Sequence, residues 1–219
     1  MIAVSITHPW LTVDLGREMR VLSWALNRPG YVSAQQIVWR EVRNADLPRD
    51  LDVVEWFDAE LRQAGRLDAV AMITSRDIGT HIHATALIDG VTAECVATLG
   101  LSNAESVGTR IAQPSQDWGT INIAVRIDAA LTDAALLEAM SIAAEARTAA
   151  VIGAGWEVST GIATGTGTDC IAVAALPGSL RFAGLHTAVG HAVGQAVKQA
   201  VGQAAAEWTA TVGQRISAE

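Results

Sequence analysis

Three hydroxyls and one carboxylate fall within six residues in Thr164-Gly165-Thr166-Gly167-Thr168-Asp169. The two glycines let the backbone turn tightly and expose its N–H groups, so polar groups converge on a small volume. A hydrolytic site needs such a set: a carboxylate to take a proton from water, and small polar groups to hold a carbonyl. The segment lacks the lysine of a phosphate-cradling loop, and it precedes an apolar run instead of opening a helix, so it matches neither common nucleotide motif. A turn in which Asp169 only bonds backbone amides fits the same residues.

Other residues offer related chemistry. In Thr98-Leu-Gly-Leu-Ser-Asn-Ala104, Ser102 and Asn103 suit a neutral, amide-bearing ligand or an oxyanion, or else the cap of a turn. Glu145 stands among Ala143, Ala144, Ala146, Ala149 and Ala150; facing a cleft it would be a general base, and a surface ion pair beside Arg147 is the competing reading. His186 falls at the start of the last helix, where an imidazole could act on a substrate near the positive helix end. His81 and His83 alternate along one strand and point the same way, yet no third ligand follows at metal spacing. Cys95 and Cys170 lie in apolar runs outside any CxxC pair and read as buried thiols. The residues themselves support a ligand-binding or hydrolytic site and leave the ligand open.

The elements that must position these residues are bounded by composition. The chain has 219 residues, 50% hydrophobic and 17% charged, enough to bury a core without disulfides. Mean hydropathy is +0.28, but no apolar run reaches the roughly 18 residues of a spanning helix; the stretch from Phe182 to Val197 still holds His186, His191 and Gln195. No membrane span is expected, and no basic residue precedes the apolar start, so the cytoplasm is the expected compartment. A net charge of -8, with scattered arginines and Lys198 as the only lysine, argues against nucleic acid as a partner.

Periodicity and turn signals predict an α+β fold in a single domain, residues 1–219, with a mixed or antiparallel sheet and a strand-rich N-terminal half. Short strands are expected at Met1 to Ile6, Leu11 to Leu15, Arg20 to Leu26 and Gln36 to Val42, and a helix from Asp50 to Ala64. Asp89-Gly90 predicts a two-residue hairpin between Thr80 to Ile88 and Val91 to Thr98. A strand over Gly119 to Ile127 leads to a helix capped by Thr132 and ending near Gly153. After a loop to Gly167 comes an apolar strand, Cys170 to Ala175, and from Thr187 the last and longest helix. There a four-residue repeat aligns Val189, Val193, Val197 and Val201 beside Gly190, Gly194 and Gly202. Such a small-residue ridge packs closely on the molecule's own sheet or on a second copy, so a homo-oligomer is an open expectation.

Six blocks in order, Thr98 to Ala104, Gly119-Thr-Ile-Asn-Ile123, Leu131-Thr-Asp133, Ala144-Glu-Ala-Arg-Thr-Ala-Ala150, Thr164 to Asp169 and Phe182-Ala-Gly-Leu-His-Thr187 with Gly190, resemble the adenosylcobinamide amidohydrolase family. The resemblance implies hydrolysis of the amide between the aminopropanol arm and the corrin ring, giving adenosylcobyric acid in corrinoid salvage. It implies a small-molecule corrinoid as partner and no separate cofactor, the substrate itself carrying the cobalt.

On that reading Glu145 or Asp169 is the base for water and His186 the proton donor to the departing amine. Ser102, Asn103, Asn122, Thr164, Thr166 and Thr168 are the substrate-binding set. Trp118, beside Gly119, and Trp156 are placed to lie against a flat macrocycle. Ala144 and Leu185 stand where the family more often has Thr and Lys, which motivates a non-catalytic corrinoid-binding protein as the alternative; an amidase for another small amide is a third.

Overall fold

Asp52, Thr132 and Thr187 each begin a helix by accepting hydrogen bonds from backbone N–H groups two or three residues ahead, the groups that a first helical turn leaves without partners. The computed structural model describes residues 1–48, 50–109 and 119–214. In chain order the elements begin with β1 (Ala3–Thr7), β2 (Trp10–Ser23), β3 (Gly30–Glu41), α1 (Val53–Gln63) and β4 (Val70–Thr74). Next come β5 (Ile82–Ile88), β6 (Val91–Leu99), β7 (Ala104–Glu105), β8 (Ile121–Leu131) and α2 (Asp133–Gly153). The chain continues with β9 (Glu157–Val158), β10 (Gly161–Ile162), β11 (Gly165–Thr166), β12 (Cys170–Pro177) and α3 (Ala188–Trp208), which a π turn extends to Gly213.

One eight-stranded mixed sheet runs in the order β4-β3-β2-β12-β8-β6-β5, with β1 beside β2. β3 and β4 are parallel, as are β8 and β12; the other pairs are antiparallel. Each parallel pair is joined through a helix, α1 for the first and α2 for the second, because a parallel return needs a long crossover. Asp89 and Gly90 both adopt positive φ, 46° and 84°, as the two-residue hairpin between β5 and β6 requires. The mixed α+β architecture and the long C-terminal helix are as the sequence predicts. Two expected strands, Leu11 to Leu15 and Arg20 to Leu26, are one strand, β2, whose pairing with β3 shifts register between Asp14 and Met19 around Gly16 at φ 80°.

The two faces of the sheet are both buried, by different partners. Ile121, Ile123, Val125 and Ile127 of β8 and Ile171 and Val173 of β12 pack under α2 and α3. Of the small-residue ridge of α3, Gly190 is closely packed within the molecule: a Cβ there would lie 2.1 Å from the Gly184 carbonyl oxygen, so only glycine fits, whereas a Cβ on Gly202 would meet nothing within 4 Å. The alternate residues, including Ala124, Cys170, Ala172 and Ala174, join a second core with Leu11, Val13, Ile37, Trp39, Val70 and Met72. Strands β1 to β4 therefore roll over the face of the sheet that the long helices leave uncovered.

The roll is closed by side chains. β4 is the last strand, bonded to β3 on one side only. Along its outer edge Asn27 donates its amide to Ala69 O (2.8 Å) and accepts from Ala71 N (3.0 Å), and Asn122 donates Nδ2–H to Ile73 O (2.7 Å). Two asparagines thus satisfy backbone groups that an edge strand otherwise exposes. Deeper in the roll, Arg126 pairs with Glu94 (3.2 Å), which also accepts from Ile2 N. No helix among the described residues is long and apolar enough to cross a membrane.

Candidate functional site

Rolling brings the starts of β8 and β12 together with the end of β2 and the outer edge of β4. A cavity of about 540 Å³ opens there. Its walls are mainly apolar, with Trp24, Leu26, Leu47, Leu51 and Met72 among them, and its polar side is built from Thr120, Asn122, Thr168 and Asp169. A few convergent polar groups in an apolar hollow of this size are what a small-molecule site requires. Among the described residues that line it, Asp169 is the only one with a carboxylate.

Asp169 is held from three directions. Its Oδ1 accepts from Ile121 N (2.9 Å) and Thr166 Oγ1 (2.5 Å), and its Oδ2 accepts from Thr166 N (3.0 Å) and is ion-paired with Arg147 of α2. The Thr-Gly-Thr-Gly-Thr-Asp turn folds around this carboxylate. A Cβ on Gly165 would meet Asp169 Oδ2 at 2.6 Å, so glycine is required where the turn passes the ion pair. Burial pushes the Asp169 carboxyl above its usual range, against the pull of Arg147 and of the hydrogen bonds from Thr166 and Ile121. Burial likewise pushes the Cys170 thiol, next in the chain, up to about 12, so it is a neutral wall and no nucleophile.

The hydroxyl protons of Thr120, Thr166 and Thr168 are committed. Thr120 donates to Thr168 O (2.9 Å), a better bond than its 3.4 Å approach to Asn122 Oδ1. Thr168 donates to Gly119 O (3.0 Å) and Thr166 to Asp169. Each hydroxyl has one proton to give, so the oxygens of Thr120 and Thr168, like the Oδ1 of Asn122, can serve a ligand only as acceptors. This wall is suited to a partner that presents N–H groups, such as carboxamides.

Of the residues singled out in the sequence, Asp169, Asn122 and Thr168 line the cavity. Thr166 stands behind them, orienting Asp169. Thr164 is used elsewhere: it bonds Val107 N (2.8 Å) and stitches β11 to β7. Ser102 and Asn103 pack behind Gly119, where a Cβ would lie 2.7 Å from Asn103 Oδ1 and 2.9 Å from Ser102 N. Asn103 Oδ1 is buried without a hydrogen-bond partner among the described residues.

Glu145 is exposed on α2, two residues from Arg147 and so roughly 200° around the helix from the side that reaches Asp169. His186 is also exposed and follows β12, whereas Asp169 precedes it; eight residues of strand, roughly 26 Å, separate the two ends. The structure therefore does not bring Glu145 or His186 to the cavity that Asp169 lines. Trp118 lies outside the described residues. Trp156 packs edge-on against Trp208, with ring centroids 4.9 Å apart, at the margin of the helix-side core. His83 comes 3.8 Å from Glu94, and no three potential metal ligands gather among the described residues.

Three contributors escape the reading of the sequence. Arg147 pairs with Asp169 instead of with its neighbour Glu145, which only the meeting of α2 with the turn decides. Thr120 lies within a recognised block but two residues before the more conspicuous Asn122. Trp24, at the tip of the β2–β3 hairpin, donates its indole N–H to Asp169 O (2.7 Å) and lines the cavity. Its only sequence signal is an aromatic residue near the Pro29-Gly30 turn.

A rolled mixed sheet with one buried carboxylate in the wall of an apolar cavity has the form of a small-molecule pocket. Residues 2–213 match the family model of CbiZ, adenosylcobinamide amidohydrolase, and the chain belongs to that family. The family name indicates an amidohydrolase. No curated protein matches the chain significantly. Among solved structures, the chain is similar to the PH0078 protein from Pyrococcus horikoshii OT3, with a TM-score of 0.43 and 9% identity, covering 93% of this chain and 82% of that one.

Proposed function

We propose that the protein hydrolyses the amide joining the aminopropanol arm to the corrin ring of adenosylcobinamide, and that Asp169 is the base for water. The observation that carries this reading is the position of Asp169 as the only carboxylate among the described residues lining the cavity. A carboxyl raised by burial is a better base near neutral pH than an exposed one.

In the proposed reaction, water adds to the amide carbonyl carbon as its proton passes to Asp169. The tetrahedral oxygen carries the resulting negative charge, and the second N–H of Asn122, the first being bonded to Ile73 O, is available to it. The carboxyl of Asp169 returns the proton to the nitrogen as the C–N bond breaks. A carboxylic acid and an amine result. Arg147 favours the ionised form of Asp169, against the effect of its burial.

The corrin ring with its arms exceeds the drug-sized ligand that a 540 Å³ cavity encloses. The reading therefore puts the aminopropanol arm and the adjoining ring edge inside, with the rest of the ring at the mouth. Carboxamide N–H groups on that edge meet the acceptor oxygens of Thr120, Thr168 and Asn122.

Incubating the purified protein with adenosylcobinamide and following adenosylcobyric acid by mass spectrometry tests the reaction; no product at saturating protein refutes it. One observation favours a second reading, a corrinoid-binding protein without turnover: four hydrogen bonds already occupy the Asp169 oxygens. Corrin absorbance retained through gel filtration without product formation would establish that case.

A further inference from the structure

Trp24 is the one tryptophan among the described residues with a largely exposed side chain, 48% accessible. It lines the cavity beside Leu26, which is 51% exposed, and the same hollow is lined from the segment before α1 by Leu47, Pro48 and Leu51. The exposed indole is not loose, since its N–H is bonded to Asp169 O at 2.7 Å. Large exposed apolar side chains gathered at a hollow mark a binding surface more often than a solvated one.

We propose that Trp24 is the residue that sets specificity for a flat macrocycle, offering its exposed indole face to the ring that the cavity is too small to enclose. This inference rests on the corrinoid reading above. Its geometry adds a positional constraint. The residue that would carry the ring is hydrogen-bonded to the backbone of the residue proposed as base, so the ring edge and the carboxylate are held at a fixed separation. The amide whose distance from the ring edge matches that separation is the one brought to Asp169. An aromatic face is suited to this task because it binds a plane without fixing its in-plane polar groups, leaving those to Thr120, Thr168 and Asn122.

Cobinamide binding to wild type, Trp24→Leu, Trp24→Ala and Trp24→Phe, measured by equilibrium dialysis with absorbance detection, tests the proposal. Loss of the aromatic plane in the Leu and Ala variants should raise Kd roughly tenfold or more, the order of one ring stacked on an aromatic side chain. The Phe variant keeps a plane but loses the bond to Asp169 O; its Kd should stay within about threefold while kcat falls roughly tenfold, as expected when a bound substrate is displaced from its attack geometry. Wild-type affinity in Trp24→Leu, which keeps an apolar side chain without the aromatic plane, overturns the proposal whatever the turnover. Wild type that binds cobinamide without hydrolysing it refutes the catalytic reading, and the Kd series still decides the role of Trp24. Wild type that does not bind cobinamide overturns both.

Discussion

Arg147, in the second half of α2, is ion-paired with Asp169, the residue that ends the turn before β12. The pair links the crossover helix to the rim of the cavity, and both side chains are largely out of water, at 17% and 7% exposure. Removing one member of a buried pair leaves the other charged and unpaired. Arg147→Met should destabilise the fold by about 3–5 kcal/mol, measured by denaturant unfolding. A loss below about 1 kcal/mol, the range of exposed pairs, would mean that water screens the pair.

Asp169→Asn should lower turnover of adenosylcobinamide by roughly 10²–10⁴ with little change in affinity, because the amide keeps the shape of the carboxylate without its basicity. Steady-state kinetics beside a direct Kd measurement separates the two effects. Full activity in this variant would make the residue structural.

The same residue gives a pH signature. Its folded pKa is raised above the unfolded value of 3.8, so the folded state binds the proton more tightly. The stability it contributes is complete below that pH and is lost as pH rises through the folded pKa. The unfolding free energy of wild type minus that of Asp169→Asn should therefore fall as the pH is raised from below 3.8 into the weakly acid range. A difference that rises over this range would show that Arg147 outweighs burial.

Gly119→Ala should cost about 1–3 kcal/mol, the range for overpacking, since the new methyl would sit 2.8 Å from Gly100 O and 2.9 Å from Ser102 N. Both are backbone atoms that cannot rotate away. Because Gly119 O accepts from Thr168, the shift should also reduce activity, and a variant with unchanged melting and turnover would contradict the packing described.

Glu145→Gln and His186→Gln should each leave turnover within about twofold of wild type, as is usual for exposed positions away from a site. A hundredfold loss in either would show that the site extends beyond the cavity around Asp169.

Much of this arrangement is legible in the chain itself. Thr132 and Thr187 announce their helices, Asp89-Gly90 announces its hairpin, and the density of polar residues from Thr164 to Asp169 marks the turn that borders the cavity. What stays hidden depends on contacts between distant segments. Asn27, in a turn, and Asn122, in a strand, are separated by 95 positions and act on the same edge of β4. Arg147 has a carboxylate two residues away at Glu145, and helical geometry turns it from that neighbour to Asp169. The two-residue strands β7, β9, β10 and β11 are too short for any alternation to show, and they replace stretches that read as loop.

The seam along β4 is bridged by side-chain amides and holds no backbone pairing between strands among the described residues. Ala71 N–H is protected from exchange by Asn27 on the hairpin that also carries Trp24, and the Ile73 carbonyl accepts a hydrogen bond from Asn122 on the polar wall. Opening there would break the bonds of two side-chain amides and the apolar contacts of Val70 and Met72 beneath them, while the β3–β4 ladder stays intact. Amide exchange at Ala71 is accordingly a gauge of the mouth's opening, faster than exchange in the β8–β12 ladder and slowed by whatever occupies the cavity.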